Sequence, residues 1–127
     1  MSYAKSCLLI DDDHDDQFVF SLAIKALNKS VDCITVNDGF AALKKLEQDP
    51  LFRPDFIFLD LNLPGINGFD CLTRIKANAA LSHIPVVIYT TSASEEDIIK
   101  TKNLGAAGFI TKPYHITDLT ITLMAFF

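Results

Sequence analysis

The sequence predicts an α/β fold: a doubly wound, five-stranded parallel sheet with helices on both faces. Three observations lead there. Five short apolar runs of strand length punctuate the chain, a stretch with helical spacing follows each of them, and acidic, hydroxyl or basic residues gather where the runs end. A βα unit repeated five times implies parallel strands joined by right-handed crossovers, which place helices on both faces of the sheet.

The first three strands are read at Cys7-Leu-Leu-Ile10, Cys33-Ile-Thr-Val36 and Phe56-Ile-Phe-Leu59. Each is a compact apolar run bounded by acidic or turn residues, the pattern of a buried parallel strand. Val86-Val-Ile-Tyr89 follows Pro85, and Gly108-Phe-Ile-Thr111 precedes Lys112-Pro113, where proline ends pairing. In the first helical stretch Phe18, Leu22 and Ala26 define an apolar stripe widened by Val19, Ala23 and Leu27, opposite Gln17, Ser21, Lys25 and Asn28. Further helices are expected over Ala41–Gln48, Phe69–Ala77, Glu95–Leu104 and Ile116–Met124. The fourth is opened by Ser94, with Asp97 three residues on, and closed by Gly105. Asp38-Gly39 reads as the turn that starts the second helix.

The 127 residues suit a single domain over 1–127, with no linker or low-complexity tract. Half of the residues are apolar and 21% are charged, a balance that supplies a core. Sixteen acidic against eleven basic residues give a net charge of -5, which disfavours direct contact with nucleic acid or an anionic membrane. No run has the length of a membrane span and no signal segment is evident, so a cytoplasmic location is expected. Cys7, Cys33 and Cys71 are widely spaced and odd in number, which suggests neither disulfides nor zinc. The scattered His14, His83 and His115 are read as surface residues, and Leu123–Phe127 as core packing in competition with a partner surface.

In an open parallel sheet the ligand site lies beyond the carboxyl ends of the strands, where the winding direction reverses. Those ends carry Asp11-Asp12-Asp13, Asp60-Leu-Asn62, Thr90-Thr-Ser92 and Lys112-Pro113. The hard oxygens of Asp11, Asp12 and Asp60 suit an octahedral Mg2+, without which clustered carboxylates repel one another. A phosphorylated Asp60 would have its charge met by that ion, by Lys112 and by a hydrogen bond from Thr90. Five acids lie within Asp11–Asp16; Asp13, Asp15 and Asp16 are read as a solvated cap favouring the helix that follows.

These residues resemble the receiver domain of bacterial two-component response regulators, and the resemblance covers essentially the whole chain. It rests on Leu8-Leu-Ile-Asp-Asp12, Phe58-Leu-Asp-Leu-Asn-Leu-Pro-Gly-Ile-Asn-Gly68, Val86-Val-Ile-Tyr-Thr-Thr91 and Gly108-Phe-Ile-Thr-Lys-Pro113, four motifs in order at the ends of the right strands. It implies a flavodoxin-like fold with strand order 2-1-3-4-5. It also implies Asp60 as phosphoacceptor, Asp11 and Asp12 as the metal-binding acid pair, and the backbone carbonyl of Asn62 as a further ligand. Thr90 and Phe109 match the switch pair, and Lys112 the family's lysine. Lys112-Pro113 resembles the family's cis peptide, while Pro64 and Gly68 fall where the family shapes the loop after the third strand. Asn62 and Ser92 occupy the positions that adjust acyl-phosphate hydrolysis. Asp13 is an acid beyond the usual pair and is expected at the helix N-terminus, and Tyr114 stands where phenylalanine is common.

The implied protein is a stand-alone, chemotaxis-regulator-like receiver. It would take a phosphoryl group from a sensor histidine kinase or phosphotransfer protein and signal to a downstream protein target. A homodimer through the fourth helix, fifth strand and fifth helix is a further option. Two other classes compete. A phosphohydrolase with an aspartyl-phosphate intermediate would share the nucleophile and the ion, but Asn62 cannot serve as the proton-transferring group two residues on. A phosphorylation-independent adaptor would keep the fold and leave the site idle.

Overall fold

Strand and helix alternate along the chain in a computed structural model that describes residues 4–92 and 94–127. The order is β1 (Lys5–Ile10), α1 (His14–Ala26), β2 (Val31–Val36), α2 (Gly39–Gln48), β3 (Phe56–Leu59), α3 (Gly68–Ala77), β4 (Val86–Thr90), α4 (Glu95–Asn103), β5 (Gly108–Thr111) and α5 (Ile116–Leu123). The strands form one parallel sheet in the order β2-β1-β3-β4-β5, as expected. Winding runs outward from β1 in one direction to β2 and in the other through β3, β4 and β5. The switch point therefore falls between β1 and β3.

Alternation of side chains along each strand separates two cores. Leu8, Ile10, Ile57, Leu59, Val86 and Ile88 face Leu43 and Leu46 of α2 and Leu72 and Ile75 of α3. Cys7, Leu9, Phe58, Val87 and Tyr89 face Phe20, Ala23 and Ile24 of α1 and Leu119 and Leu123 of α5. Local chemistry starts the helices at the right places. Asp13, Asp38, Asn67 and Ser94 each accept a hydrogen bond from the backbone N–H three residues on. Gly105 follows α4 with φ +102°, a conformation that costs glycine little.

Two expectations are corrected. The buried stripe of α1 is Phe20, Ala23 and Ile24, whereas Phe18 is 64% exposed. Apolar residues nearly encircle this helix, so its rotation is set by tertiary contact: the Phe20 ring seats on Phe58 and Tyr89, with centroids 5.1 and 5.4 Å away. Burial of such a ring stabilises the fold by about 1.5–3 kcal/mol. β2 is not fully buried, because it lies at the sheet edge with only β1 beside it, and Asp32, Ile34 and Thr35 are exposed. The closing segment packs inward: Leu123 is buried, and the rings of Phe126 and Phe127 meet Phe56 edge-on. By contrast, α4 buries Thr101 alone.

Candidate functional site

One backbone hydrogen bond beyond each ladder fixes the residues at the carboxyl edge. Asp11 N–H donates to Val36 O at 3.1 Å, Asp60 N–H to Ile10 O at 3.0 Å, and Lys112 N–H to Thr90 O at 2.7 Å. Two carboxylates and an ammonium are thus delivered to one place by the sheet itself. The Lys112 ammonium is their meeting point. Its Nζ donates hydrogen bonds to Asp16 Oδ2 at 2.7 Å and Asp60 Oδ2 at 2.9 Å, and lies 2.8 Å from Asp11 Oδ2 as an ion pair. The Tyr89 ring lies below, its centroid 5.3 Å from Nζ.

The second oxygens are held by backbone. Asp11 Oδ1 accepts from Asp13 N–H at 3.0 Å and Asp60 Oδ1 from Asn62 N–H at 3.1 Å. Gln17 braces the first loop from α1, its Nε2 donating to Asp11 O at 2.6 Å and Asn37 Oδ1 at 2.7 Å. Burial pushes the Asp11 carboxyl above its ordinary pKa, although Lys112 and the Asp13 N–H act against the shift. For Lys112 burial acts to lower the pKa, but Asp11, Asp16 and Asp60 together outweigh it and hold the ammonium above its ordinary range.

Asp11, Asp12 and Asp60 each bring one oxygen to a cluster whose atoms lie within 4.8 Å of one another. Asp11 and Asp60 are buried and Asp12 is exposed, so the cluster opens to solvent on one side. Three carboxylates, those of Asp11, Asp16 and Asp60, surround one ammonium, and Asp12 adds a fourth negative charge to the cluster. Among the described residues, two buried side-chain oxygens make no hydrogen bond: Thr90 Oγ1, and Asp11 Oδ2, which is instead ion-paired with Lys112 at 2.8 Å. Hard oxygen donors and an excess of negative charge over the single ammonium fit a divalent cation.

The remaining predicted residues fall around this centre. Thr90 is fully buried, and Phe109 is half-buried beside a cavity of about 180 Å³ lined also by Ile98 and Thr101. Asn62 and Pro64 are exposed in the loop after β3, and Gly68 is buried at the start of α3. Ser92 is exposed, its hydroxyl 3.5 Å from Asp97 Oδ2. Asp13 caps α1, as expected. The expected cis peptide at Lys112-Pro113 is corrected: the described backbone contains none. The Lys112 N–H bond to Thr90 O extends the β5 pairing by one residue, and that suffices to carry Nζ into the acids. Tyr114, next along, is fully exposed. His14, His83 and His115 are all exposed, and the cysteines are free. Burial raises the Cys71 thiol to about 12.

Asp16 is the residue that sequence reasoning misplaced. Read as a solvated cap, it instead makes the shortest contact with Lys112. The available signal was helical: Asp16 lies in the first turn of α1, the helix that opens directly after the acid pair.

A doubly wound parallel sheet with an acidic, lysine-bearing divalent-metal site at its switch point defines an α/β signalling domain of the receiver type. The response regulator receiver domain family matches residues 7–124, and the chain belongs to it. The response regulator Rcp1 of Synechocystis is 36% identical over 119 residues, which is 91% of this chain and 81% of that protein. Chemotaxis protein CheY-3 of Vibrio cholerae is 37% identical over 83 residues, 65% of this chain and 62% of that protein. Among solved structures, the phosphorylated cyanobacterial phytochrome response regulator RcpA superposes with a TM-score of 0.88 at 32% identity, covering 98% of this chain and 91% of that one. The Mn(2+)-bound form of Rcp1 gives 0.84 at 34% identity, covering 95% and 90%. The chain is thus a two-component response-regulator receiver with a metal-binding acidic site, rather than an ordinary enzyme. Among the described residues no helix is long and apolar enough to cross a membrane.

Proposed function

We propose that this chain is a single-domain cytoplasmic receiver that accepts a phosphoryl group on Asp60 from a sensor histidine kinase or phosphotransfer protein. One observation carries the reading: the Asp60 carboxylate ends an apolar strand with Lys112 Nζ 2.9 Å from one oxygen and two further acids beside it. In the transfer, an Asp60 oxygen attacks phosphorus, and the P–N bond to the donor imidazole breaks. Its electron pair returns to the ring nitrogen, leaving an acyl phosphate on Asp60. Lys112 places positive charge where the phosphoryl oxygens gain negative charge. Mg2+, held by Asp11, Asp12, Asp60 and the Asn62 carbonyl, would neutralise charge on those same oxygens. Asn62 and Ser92 flank the site as the positions that set how fast water removes the group.

Thr90 and Phe109 form the switch. The Thr90 hydroxyl is buried without a partner, so a phosphoryl oxygen offers it its first hydrogen bond. Its inward movement vacates space for Phe109, whose neighbouring cavity and weakly buried α4 allow the face of α4, β5 and α5 to shift. The output is contact with a downstream protein through that face, or with a second copy of the chain.

The test is intact mass after incubation with acetyl phosphate, with and without Mg2+, on wild type and Asp60→Asn. A magnesium-dependent gain of one phosphoryl group, lost in the variant, is expected. No gain in a folded wild type would overturn the proposal in favour of a phosphorylation-independent adaptor.

A further inference from the structure

A lysine ammonium has three protons to donate and no more. In this chain Asp16 and Asp60 accept hydrogen bonds from Lys112 at 2.7 and 2.9 Å, and Asp11 presses against the same nitrogen at 2.8 Å. All three approaches are taken by carboxylates of the chain. The three acids differ in how firmly they are fixed. The Asp11 side chain is fully buried and that of Asp60 is 8% exposed, whereas that of Asp16 is 32% exposed on the first turn of α1. Asp16 therefore forms the outer, releasable side of the Lys112 cage.

We infer that Asp16 is a positioning residue that restrains Lys112 and thereby slows phosphorylation of Asp60; the assignment rests on the phosphoacceptor reading above. A phosphoryl group arriving on Asp60 brings oxygens that need protons from Lys112. The Asp60 oxygen loses its charge as its bond to phosphorus forms, and one incoming oxygen takes its place on Lys112. Any further phosphoryl oxygen must displace Asp11 or Asp16, and Asp11 is fully buried and held by the Asp13 N–H whereas Asp16 is 32% exposed, so that exchange falls to Asp16. Asp16 also adds a negative charge beside an anionic donor, but its contact is with the lysine. Its main effect is on the step in which Lys112 stabilises the transferring group. Asp16→Asn keeps the side-chain shape and an accepting oxygen while removing the charge that competes for the ammonium.

The experiment compares wild type, Asp16→Asn and Asp16→Glu with acetyl phosphate and Mg2+, reading the limiting rate of uptake and the donor concentration at half-saturation separately. The limiting rate is expected to rise by about two- to fivefold in Asp16→Asn, the range of a partly exposed ion pair. Half-saturation should stay unchanged, and Asp16→Glu should return the rate toward wild type. In parallel, the Lys112 ammonium is followed by 15N NMR without donor. Its slowly exchanging signal in wild type should weaken in Asp16→Asn. A competent wild type with an equal limiting rate in Asp16→Asn, or with an unchanged ammonium signal, overturns the assignment of Asp16 alone. A wild type that takes up no phosphoryl group overturns the reading of Asp60 and the rate-setting role with it, and the NMR signal still decides whether Asp16 holds Lys112.

Discussion

Gly68 lies directly against the backbone of Asp60. A side-chain carbon at position 68 would stand 2.6 Å from the Leu61 α-carbon and closer still to the Asp60 carbonyl oxygen, while Gly68 N–H donates to Leu61 O at 3.0 Å. The loop after β3 is thereby folded back onto its own strand end, which fixes the direction of the Asp60 side chain. Gly68→Ala forces these backbones apart. The expected loss is about 1–3 kcal/mol of stability in urea unfolding, accompanied by weaker binding of Mn2+ in a direct titration.

Asp11 predicts a pH dependence with a definite sign. Its folded-state carboxyl titrates above the ordinary value of 3.8, so in the window between the two the folded chain keeps a proton that the unfolded chain has lost. Stability contributed at this site therefore falls as pH rises through the window, and the full penalty persists above it. In the presence of a chelator, Asp11→Asn should have a higher Tm than wild type near neutrality. That advantage should shrink as the pH is lowered toward 3.8. An advantage that grows on acidification would contradict burial as the dominant cause.

Lys112 offers the converse test. It is the cation around which Asp11, Asp16 and Asp60 converge, so Lys112→Met leaves buried carboxylates without their counter-charge. Loss of about 3–5 kcal/mol is expected without metal. Mn2+ should bind more tightly than to wild type, because a competing positive charge has gone, and saturating Mn2+ should recover part of the lost Tm.

Thr90→Val exchanges an unpartnered buried hydroxyl for a methyl group of similar volume. The resting fold is expected to gain stability, up to about 1–3 kcal/mol, the cost of burying an unsatisfied polar group. Uptake of a phosphoryl group should persist in the variant, while the phosphorylation-induced change in the α4-β5-α5 face, followed by NMR shifts at Phe109 and Ile98, should be lost.

What could be read from the sequence was what short-range chemistry decides. The strands around Leu8, Ile57 and Val86 follow from apolar runs, and the starts of α1 and α4 follow from Asp13 and Ser94 meeting N–H groups three residues away. Asp11, Asp12, Asp60 and Lys112 were legible because strand ends in a parallel sheet all point to one edge. The rotation of α1 was not, since Phe18 and Phe20 fit a helical stripe equally well and only the rings of Phe58 and Tyr89 choose between them. The Asp16 contact was hidden for a similar reason. Its partner lies 96 positions away, and an acid in the first turn of a helix already has a sufficient local explanation.

The separation of the residues that meet at Lys112 also bears on how the chain acquires its site. Asp16 and Asp60 come from positions 96 and 52 residues earlier, and β5 must dock on the open side of β4 before the ammonium can reach either of them. Contacts of such long sequence separation are slow to form, because the loops they close carry a large entropic cost. During synthesis the acids emerge long before the cation that offsets them, so a chain lacking its fifth strand carries unbalanced charge beside an uncovered β4 edge. Competence to receive a signal therefore arrives only with the completed sheet, and partly folded chains are silent by construction.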